Sequence, residues 1–303
     1  MTVLCERHLV ERHRRSAAIN TQQGDTQRGK TQRGSTQRDY LSFTAISTYQ
    51  QCPLKYFYRY IERLPEREVS ANLVLGSAIH AAIELHFREL LSVQPPPDQD
   101  QLLEQFWHEW NERGSLVSIR FGRHDDLNSI GRLADRMLAV FRESELAHVT
   151  GSILGIEESF RDKIVDDAPD LLAKIDLLVE TEHTLKVIDF KTARSRWNAK
   201  QAQRSADQLL LYSELVQPLV PRKPIELEFA VLTKTAQPHA ECFTVTYSRK
   251  RVERMRSIIR HVWSAIYAGH FYPAPSPMNC PTCPYRSECR RWPGSLGTTT
   301  RTR

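Results

Sequence analysis

Leu171–Thr192 reads LLAKIDLLVE, then TEHT, then LKVIDFKT. Both flanks are short, apolar and rich in Ile, Val and Leu, and the break between them is polar. This pattern predicts two adjacent antiparallel strands joined by a tight turn. With the turn centred between Glu182 and His183, residues equally far from that centre face one another, and Asp176 falls opposite Asp189. Directly opposed residues on one sheet face have Cβ atoms about 4.5–5.5 Å apart, close enough for two carboxylates to share one cation. Lys191 lies two residues beyond Asp189, so strand alternation puts it on the same face. Asp and Lys at strand ends are usually just solvated. Two acids and a lysine on one side of a buried hairpin, however, cost folding energy unless a metal ion and a substrate use them.

The spacing Asp176-x12-Asp189-Phe190-Lys191-Thr192 closely resembles the core of the PD-(D/E)XK nuclease superfamily, specifically its RecB-like branch. The resemblance implies that Asp176 and Asp189 bind Mg2+ or Mn2+ and that Lys191 positions or activates the attacking water. One departure is Lys174, which stands two residues before the first Asp where the family often has Gly.

Three further segments carry the same resemblance. Gly76-Ser77-Ala78-Ile79-His80-Ala81-Ala82-Ile83-Glu84 reads as a helix. A lone His on an apolar helical face is usually a satisfied core residue. The match to the family's first motif implies instead that His80 is a metal ligand, with Glu84 one turn on as a weaker candidate. Ile153–Phe160 is predicted to be the first strand of the sheet. Its Glu157 matches an acid often found there, and core and site readings of it stand level. Gln208 and Tyr212 are spaced i, i+4 on a helix predicted over 199–216 and share one face. Alone they read as a structural pair; the Q-x-x-x-Y match implies a role near the scissile phosphate.

Length and composition agree with one large domain or a domain with appendages. The 303 residues can bury a sizeable core, and no run of about 18 apolar residues occurs. The arginine-rich N-terminus lacks an apolar core segment, so a secretory signal is not expected and a reducing, cytoplasmic setting is. The net charge of +6 is misleading. Residues 1–40 hold eight Lys/Arg against four Asp/Glu, and residues 290–303 add four Arg and no acid, so the body between is slightly acidic. Local clusters are better evidence for a nucleic-acid partner. Lys191, Arg194, Arg196, Lys200 and Arg204 follow the hairpin, and Arg249, Lys250, Arg251, Arg254, Arg256 and Arg260 crowd a predicted helix over 248–270. Such runs are more often solvated faces.

Residues 21–40 repeat a T-Q-R-G-x pentapeptide, polar and nearly free of apolar side chains, and 1–40 is expected to be a disordered tail. A translated repeat upstream of the true start is the plainer source; nucleic-acid tethering is the other. The body starts near Leu41 with a helix whose expected N-cap is Thr44, continuing through Cys52-Pro53 to the aromatics Tyr56, Phe57, Tyr58 and Tyr60. Those aromatics could stack bases but are expected in the core. Gln94-Pro95-Pro96-Pro97 breaks the chain before helical patterns over 98–113 and 129–148, read as an insertion covering the sheet. Two strands are expected over 226–234 and 241–247.

The C-terminus carries Cys280-x2-Cys283-x5-Cys289, and Cys52 is the remaining cysteine suited to close the set. Spacing allows a four-cysteine zinc site or an iron–sulfur cluster equally. One Cys before the nuclease motifs and three after resembles the [4Fe–4S] cage of AddB-type and CRISPR-associated RecB-like nucleases, which implies that Cys52, Cys280, Cys283 and Cys289 hold such a cluster. The cage would tie the first helix to the last residues.

The expected fold is α/β: a restriction-endonuclease-like central mixed sheet flanked by helices, with a helical insertion and a C-terminal cysteine cluster, over residues 41–292, followed by a disordered tail over 293–303. The resemblance implies a metal-dependent deoxyribonuclease, most simply an exonuclease of DNA repair or recombination acting on single strands or duplex ends. The rivals are a CRISPR pre-spacer-trimming nuclease and a non-catalytic assembly module. A helicase or CRISPR adaptation partner is compatible with either; the chain has no Walker A motor motif of its own, and no membrane partner is expected.

Overall fold

The structure, a computed structural model, describes residues 39–294. The pentapeptide repeat lies outside these residues apart from its last two positions, as does most of the C-terminal tail. In chain order the elements are β1 (Tyr40–Ser42), α1 (Phe43–Gln51), α2 (Pro53–Tyr56), β2 (Glu68–Ser70), α3 (Ala71–Leu91), α4 (Gln99–Leu116), β3 (Ser118–Arg120), α5 (Leu127–Glu143), β4 (Ser152–Asp162), β5 (Asp170–Glu180), β6 (Leu185–Ala193), α6 (Ala199–Arg204), α7 (Asp207–Val216), β7 (Ile225–Thr233), β8 (Ala240–Val245), α8 (Arg249–Tyr267) and α9 (Arg286–Arg290). No helix among the described residues is long and apolar enough to cross a membrane.

The hairpin of β5 and β6 has the register expected from its turn. Leu177 pairs with Ile188, Leu178 with Val187, Val179 with Lys186 and Glu180 with Leu185. Thr181 builds the turn: its N–H donates to the Thr184 carbonyl at 2.9 Å, and its hydroxyl accepts the Thr184 N–H at 2.9 Å. β6 then runs parallel to β7, which pairs antiparallel with β8, while β4 pairs antiparallel along β5. β1 adds a short parallel stretch at Tyr40–Ser42 against Asp170–Leu172. The sheet is mixed, as expected.

β5 and β6 separate beyond the Leu177–Ile188 pair. On that edge of β5, β1 covers Asp170–Leu172 and β6 covers Leu177–Glu180, which leaves Ala173–Asp176 in a fork between them. The helices pack on both faces. One core joins α1, α7 and α8 to the side carrying Val187 and Phe229; the other joins α3, α4 and α5 to the side carrying Ile188, Phe190 and Ala230. The 98–148 insertion thus lies in the second core, its Leu102, Phe106, Trp110, Met137 and Phe141 buried.

Three local expectations need correcting. Ser42, not Thr44, caps α1: its hydroxyl accepts the Ala45 N–H at 3.2 Å, while Thr44 sits inside the helix and its carbonyl accepts from the Thr48 hydroxyl. The first helix does not run on through Cys52, which is extended at φ −163° because the following Pro53 disfavours helical backbone before it. The helix over 199–216 is two helices. The Arg251 guanidinium binds the Gln203 carbonyl and, at 3.0 Å, the Arg204 carbonyl, so the end of α6 is capped from α8 before α7 begins.

The two ends of the described chain are cross-linked by hydrogen bonds. Tyr49 donates to the His270 carbonyl at 2.7 Å, Leu54 N–H to the Tyr272 carbonyl at 2.9 Å, and buried Tyr285 to the Leu64 carbonyl at 3.1 Å. Tyr56 stacks on Phe271 and packs edge-on to Tyr49, placing it in the core and not on a base-stacking surface.

Candidate active site

The site forms at the fork. Asp176 lies where β5 loses β6, and its Oδ2 accepts the Phe190 N–H at 2.7 Å, substituting for a missing ladder bond. Opposite it on β4, Glu157 has φ +54°, a left-handed backbone that costs a non-glycine residue of order 1 kcal/mol. Core membership shows what this kink does: Ile175 and Leu178 both point to the α7 side, so strict alternation breaks at Asp176. The regular same-face pairing expected for Asp176 and Asp189 is therefore not formed.

Instead the two acids enter from different sides. Asp176 Oδ2 lies 3.8 Å from His80 Nδ1 on α3, and the ligand atoms of His80, Glu157 and Asp176 all fall within 4.8 Å of one another. Asp189, buried, is tied to Lys191, whose Nζ lies 2.5 Å from Asp189 Oδ2 and donates to Gln208 Oε1 at 3.1 Å. Gln208 Nε2 in turn donates to the Tyr212 hydroxyl at 2.9 Å, which lies beside the Lys174 backbone in the fork. The i, i+4 spacing of Gln208 and Tyr212 on α7 thus spans the gap between β5 and β6.

α3 can approach the sheet because residue 76 is Gly: a Cβ there would meet Thr192 Oγ1 at 3.0 Å. One turn later His80 stands edge-on to Phe190. Glu84 does not join the group; its carboxylate is held by Arg88 Nε at 2.8 Å. Lys174, the departure from the family pattern, pairs with Glu157.

The electrostatics follow from burial. Desolvation, then the charges of Asp189 and Glu157, push Asp176 well above the ordinary carboxylate range. Desolvation also raises Asp189, against the pull of Lys191. His80 is lowered to about 4 by burial and by Lys191, Lys174 and Lys234, so it is a neutral imidazole with a free lone pair. Burial raises Tyr212 to about 12, keeping its hydroxyl protonated. A neutral imidazole and two crowded carboxylates form a nitrogen and oxygen donor set suited to Mn2+ or Mg2+, whose charge would remove the mutual repulsion.

Two site residues lay beyond a firm sequence reading. Glu157 left core and site readings level because nothing in the sequence marks its left-handed backbone. Lys234, at the end of β7, donates to the Asn72 carbonyl at 3.3 Å and is a further half-buried cation near His80; a lysine ending an apolar strand was the only signal. Conversely, two of the six cations on the basic helix are structural. Arg251 pairs with Asp207 at 2.5 Å and Arg256 with Glu214 at 2.6 Å, and Arg196 after the hairpin pairs with Glu241.

The four cysteines Cys52, Cys280, Cys283 and Cys289 line one cavity of about 330 Å³ between α1, α2 and the C-terminal loop. Backbone N–H groups of Ser276 and Ala274 point at Cys280 Sγ (3.2 Å) and Cys52 Sγ (3.5 Å). Among the described residues the only three-ligand group within 4.8 Å is that of His80, Glu157 and Asp176, so no three of these sulfurs stand that close.

The PD-(D/E)XK nuclease superfamily profile matches residues 40–290. A crystal structure of a "Putative exonuclease" from Eubacterium rectale shares the fold with a TM-score of 0.52 at 15% identity, over 88% of this chain and 94% of that one. A second crystal structure, SSO0001, aligns over 76% of this chain and 88% of that one at 12% identity, with a TM-score of only 0.33. No curated protein matches the chain.

Proposed function

The chain belongs to the PD-(D/E)XK nuclease superfamily, and from that premise we propose that it is a divalent-metal-dependent deoxyribonuclease, with one nuclease domain over 41–292 between two tails. The observation that carries this reading is the fork itself. His80, Glu157 and Asp176 converge on one side of it, and the Asp189–Lys191–Gln208–Tyr212 chain of contacts closes the other.

In this reading His80, Glu157, Asp176 and Asp189 hold the cation. When bound, a divalent ion supplies Lewis-acid neutralisation of charge developing on a phosphodiester. The chain's own groups do the rest. Lys191, released from Asp189, presents an ammonium to the attacking water or to the pentavalent phosphorane charge. Gln208 fixes the Lys191 amine through its carbonyl, and Tyr212 fixes Gln208. Phe190 N–H holds the Asp176 carboxylate in place. Exonucleolytic action is the form proposed, supported by the name of the Eubacterium rectale fold neighbour.

The cysteine cavity is proposed to hold a [4Fe–4S] cluster. Tetrahedral zinc at about 2.3 Å from each sulfur needs all four sulfurs about 3.8 Å apart, and no three of these sulfurs lie within 4.8 Å of one another. Backbone N–H groups aimed at sulfur are what a cluster's thiolates use to disperse charge. The cluster's role here is to fasten the chain ends.

End-labelled single- and double-stranded DNA, incubated with anaerobically purified protein in Mg2+ or Mn2+, tests both parts. Cleavage that needs the metal and is lost in Asp189→Ala and Lys191→Ala, from a brown protein, is the expected result. A folded protein that cuts nothing refutes the catalytic reading, and a colourless protein holding zinc refutes the cluster.

A further inference from the structure

We propose that a cavity of about 420 Å³ beside the cysteine loop is a phosphate-binding subsite for the DNA strand that leads to the fork. This rests on the nuclease reading and adds to it where the substrate lies. The cavity is lined by Arg67, Arg120, Arg286 and Arg290, with Thr282 and a single carboxylate, Glu68. Its four arginines come from three places far apart in the chain: the lead into β2, the end of β3, and α9. A run of basic residues along one helix is usually a solvated face, but convergence from separate segments requires the fold to hold like charges together.

Their charge is only partly offset among the described residues, by Glu68 in the cavity and by Glu288, which feels Arg67 through space. None of the four makes a salt bridge among the described residues, and the acids nearby have closer partners of their own. Glu66 is held by Arg59 at 3.2 Å and Arg113 at 3.9 Å, and Glu288 by the Ser287 hydroxyl at 2.7 Å and Arg291 at 3.8 Å. All four arginines are exposed, so their guanidinium groups are available to an anion. The choice of four Arg and no Lys suits planar, bidentate contacts to phosphate oxygens.

The position also fits. β2 runs directly into α3, whose N-cap Ser70 accepts the Leu73 N–H, and the same helix carries His80. Ten residues of helix span about 15 Å, which is on the order of four or five nucleotides at the 3.4 Å spacing of one duplex strand. A strand held at the arginines therefore reaches the fork within a few nucleotides. Cys283, Arg286 and Arg290 line both this cavity and the cysteine cavity, so the cysteine loop also presents half of the phosphate subsite.

The test uses the full chain and two independent double variants, Arg67→Gln/Arg120→Gln and Arg286→Gln/Arg290→Gln, each checked for an unchanged melting temperature. Fluorescence anisotropy of labelled single-stranded oligonucleotides of increasing length is recorded in EDTA, where nothing is cut, across a salt series. Each pair is expected to weaken binding of long oligonucleotides by about tenfold, to remove the gain in affinity between short and long ones, and to reduce the log K against log salt slope by about 1.4, as for two lost single-strand phosphate contacts. Affinity and slope within twofold of the parent in both variants would overturn the subsite. Failure of the nuclease reading looks different: the parent chain would cut no DNA in Mn2+ while its binding still depended on the arginines.

Discussion

Glu157 makes two opposed contributions that a single substitution separates. Its carboxylate lies within 4.8 Å of a ligand atom of Asp176, and at an effective dielectric of about 20 two unit charges at that distance repel by roughly 3.5 kcal/mol. Lys174 pairs with Glu157 and offsets part of this, and protonation of Asp176, whose pKa is raised, relieves more, so Glu157→Gln should stabilise the metal-free protein by about 1 kcal/mol. A dication is attracted twice as strongly. After its desolvation is allowed for, on the order of 3 kcal/mol remains, and Glu157→Gln should weaken Mn2+ binding by roughly a hundredfold. Glu157→Gly should stabilise the metal-free fold further, by about 1 kcal/mol, because glycine adopts φ +54° at no steric cost. Urea unfolding in EDTA measures the first effect and titration calorimetry with Mn2+ the second. Mn2+ affinity within about threefold of the parent would refute Glu157 as a ligand, and a less stable metal-free Glu157→Gly would refute the strain argument.

Other outcomes follow from neighbouring contacts. Gly76→Ala gains about 1 kcal/mol of helix propensity but crowds Thr192 Oγ1, so it should lose about 1 kcal/mol net in urea unfolding; adding Thr192→Ala should restore stability. Tyr212→Phe removes the hydroxyl that holds Gln208, and kcat should fall about tenfold with KM little changed, since only the placement of Lys191 is loosened. His80 titrates at about 4 in the fold, below its unfolded value of about 6.5. Protonation therefore favours the unfolded chain, and the stability it contributes is complete above pH about 6.5 and lost as pH falls towards about 4. Urea midpoints of metal-free His80→Gln should lack that one-proton slope in this window; an unchanged slope would contradict a neutral His80.

Much of the architecture was readable because local signals agreed. The β5–β6 register was set by a four-residue polar turn between apolar strands, and the structure has that register from Leu177 to Glu180. The α3 motif around His80 and the i, i+4 pair on α7 were likewise properties of single segments. What could not be read depends on contacts between segments. The fork arises because β6 leaves β5 to follow β7, and the kink at Asp176 and Glu157 is shared by two strands. The break between α6 and α7 is made by Arg251, reaching from α8. The same residue shows why charge counts misled: on the basic helix, Arg251 and Arg256 serve acids of α7, whereas the unpaired arginines lie dispersed in sequence and meet only in the fold.

The most direct test is an anomalous diffraction map, at the manganese edge, of crystals soaked in Mn2+. A peak in the fork coordinated by His80, Glu157 and Asp176, with Asp189 turned from Lys191 to complete the set, is the expected result. A peak elsewhere, or Asp189 still bound to Lys191 beside an ion held by other residues, would contradict the site.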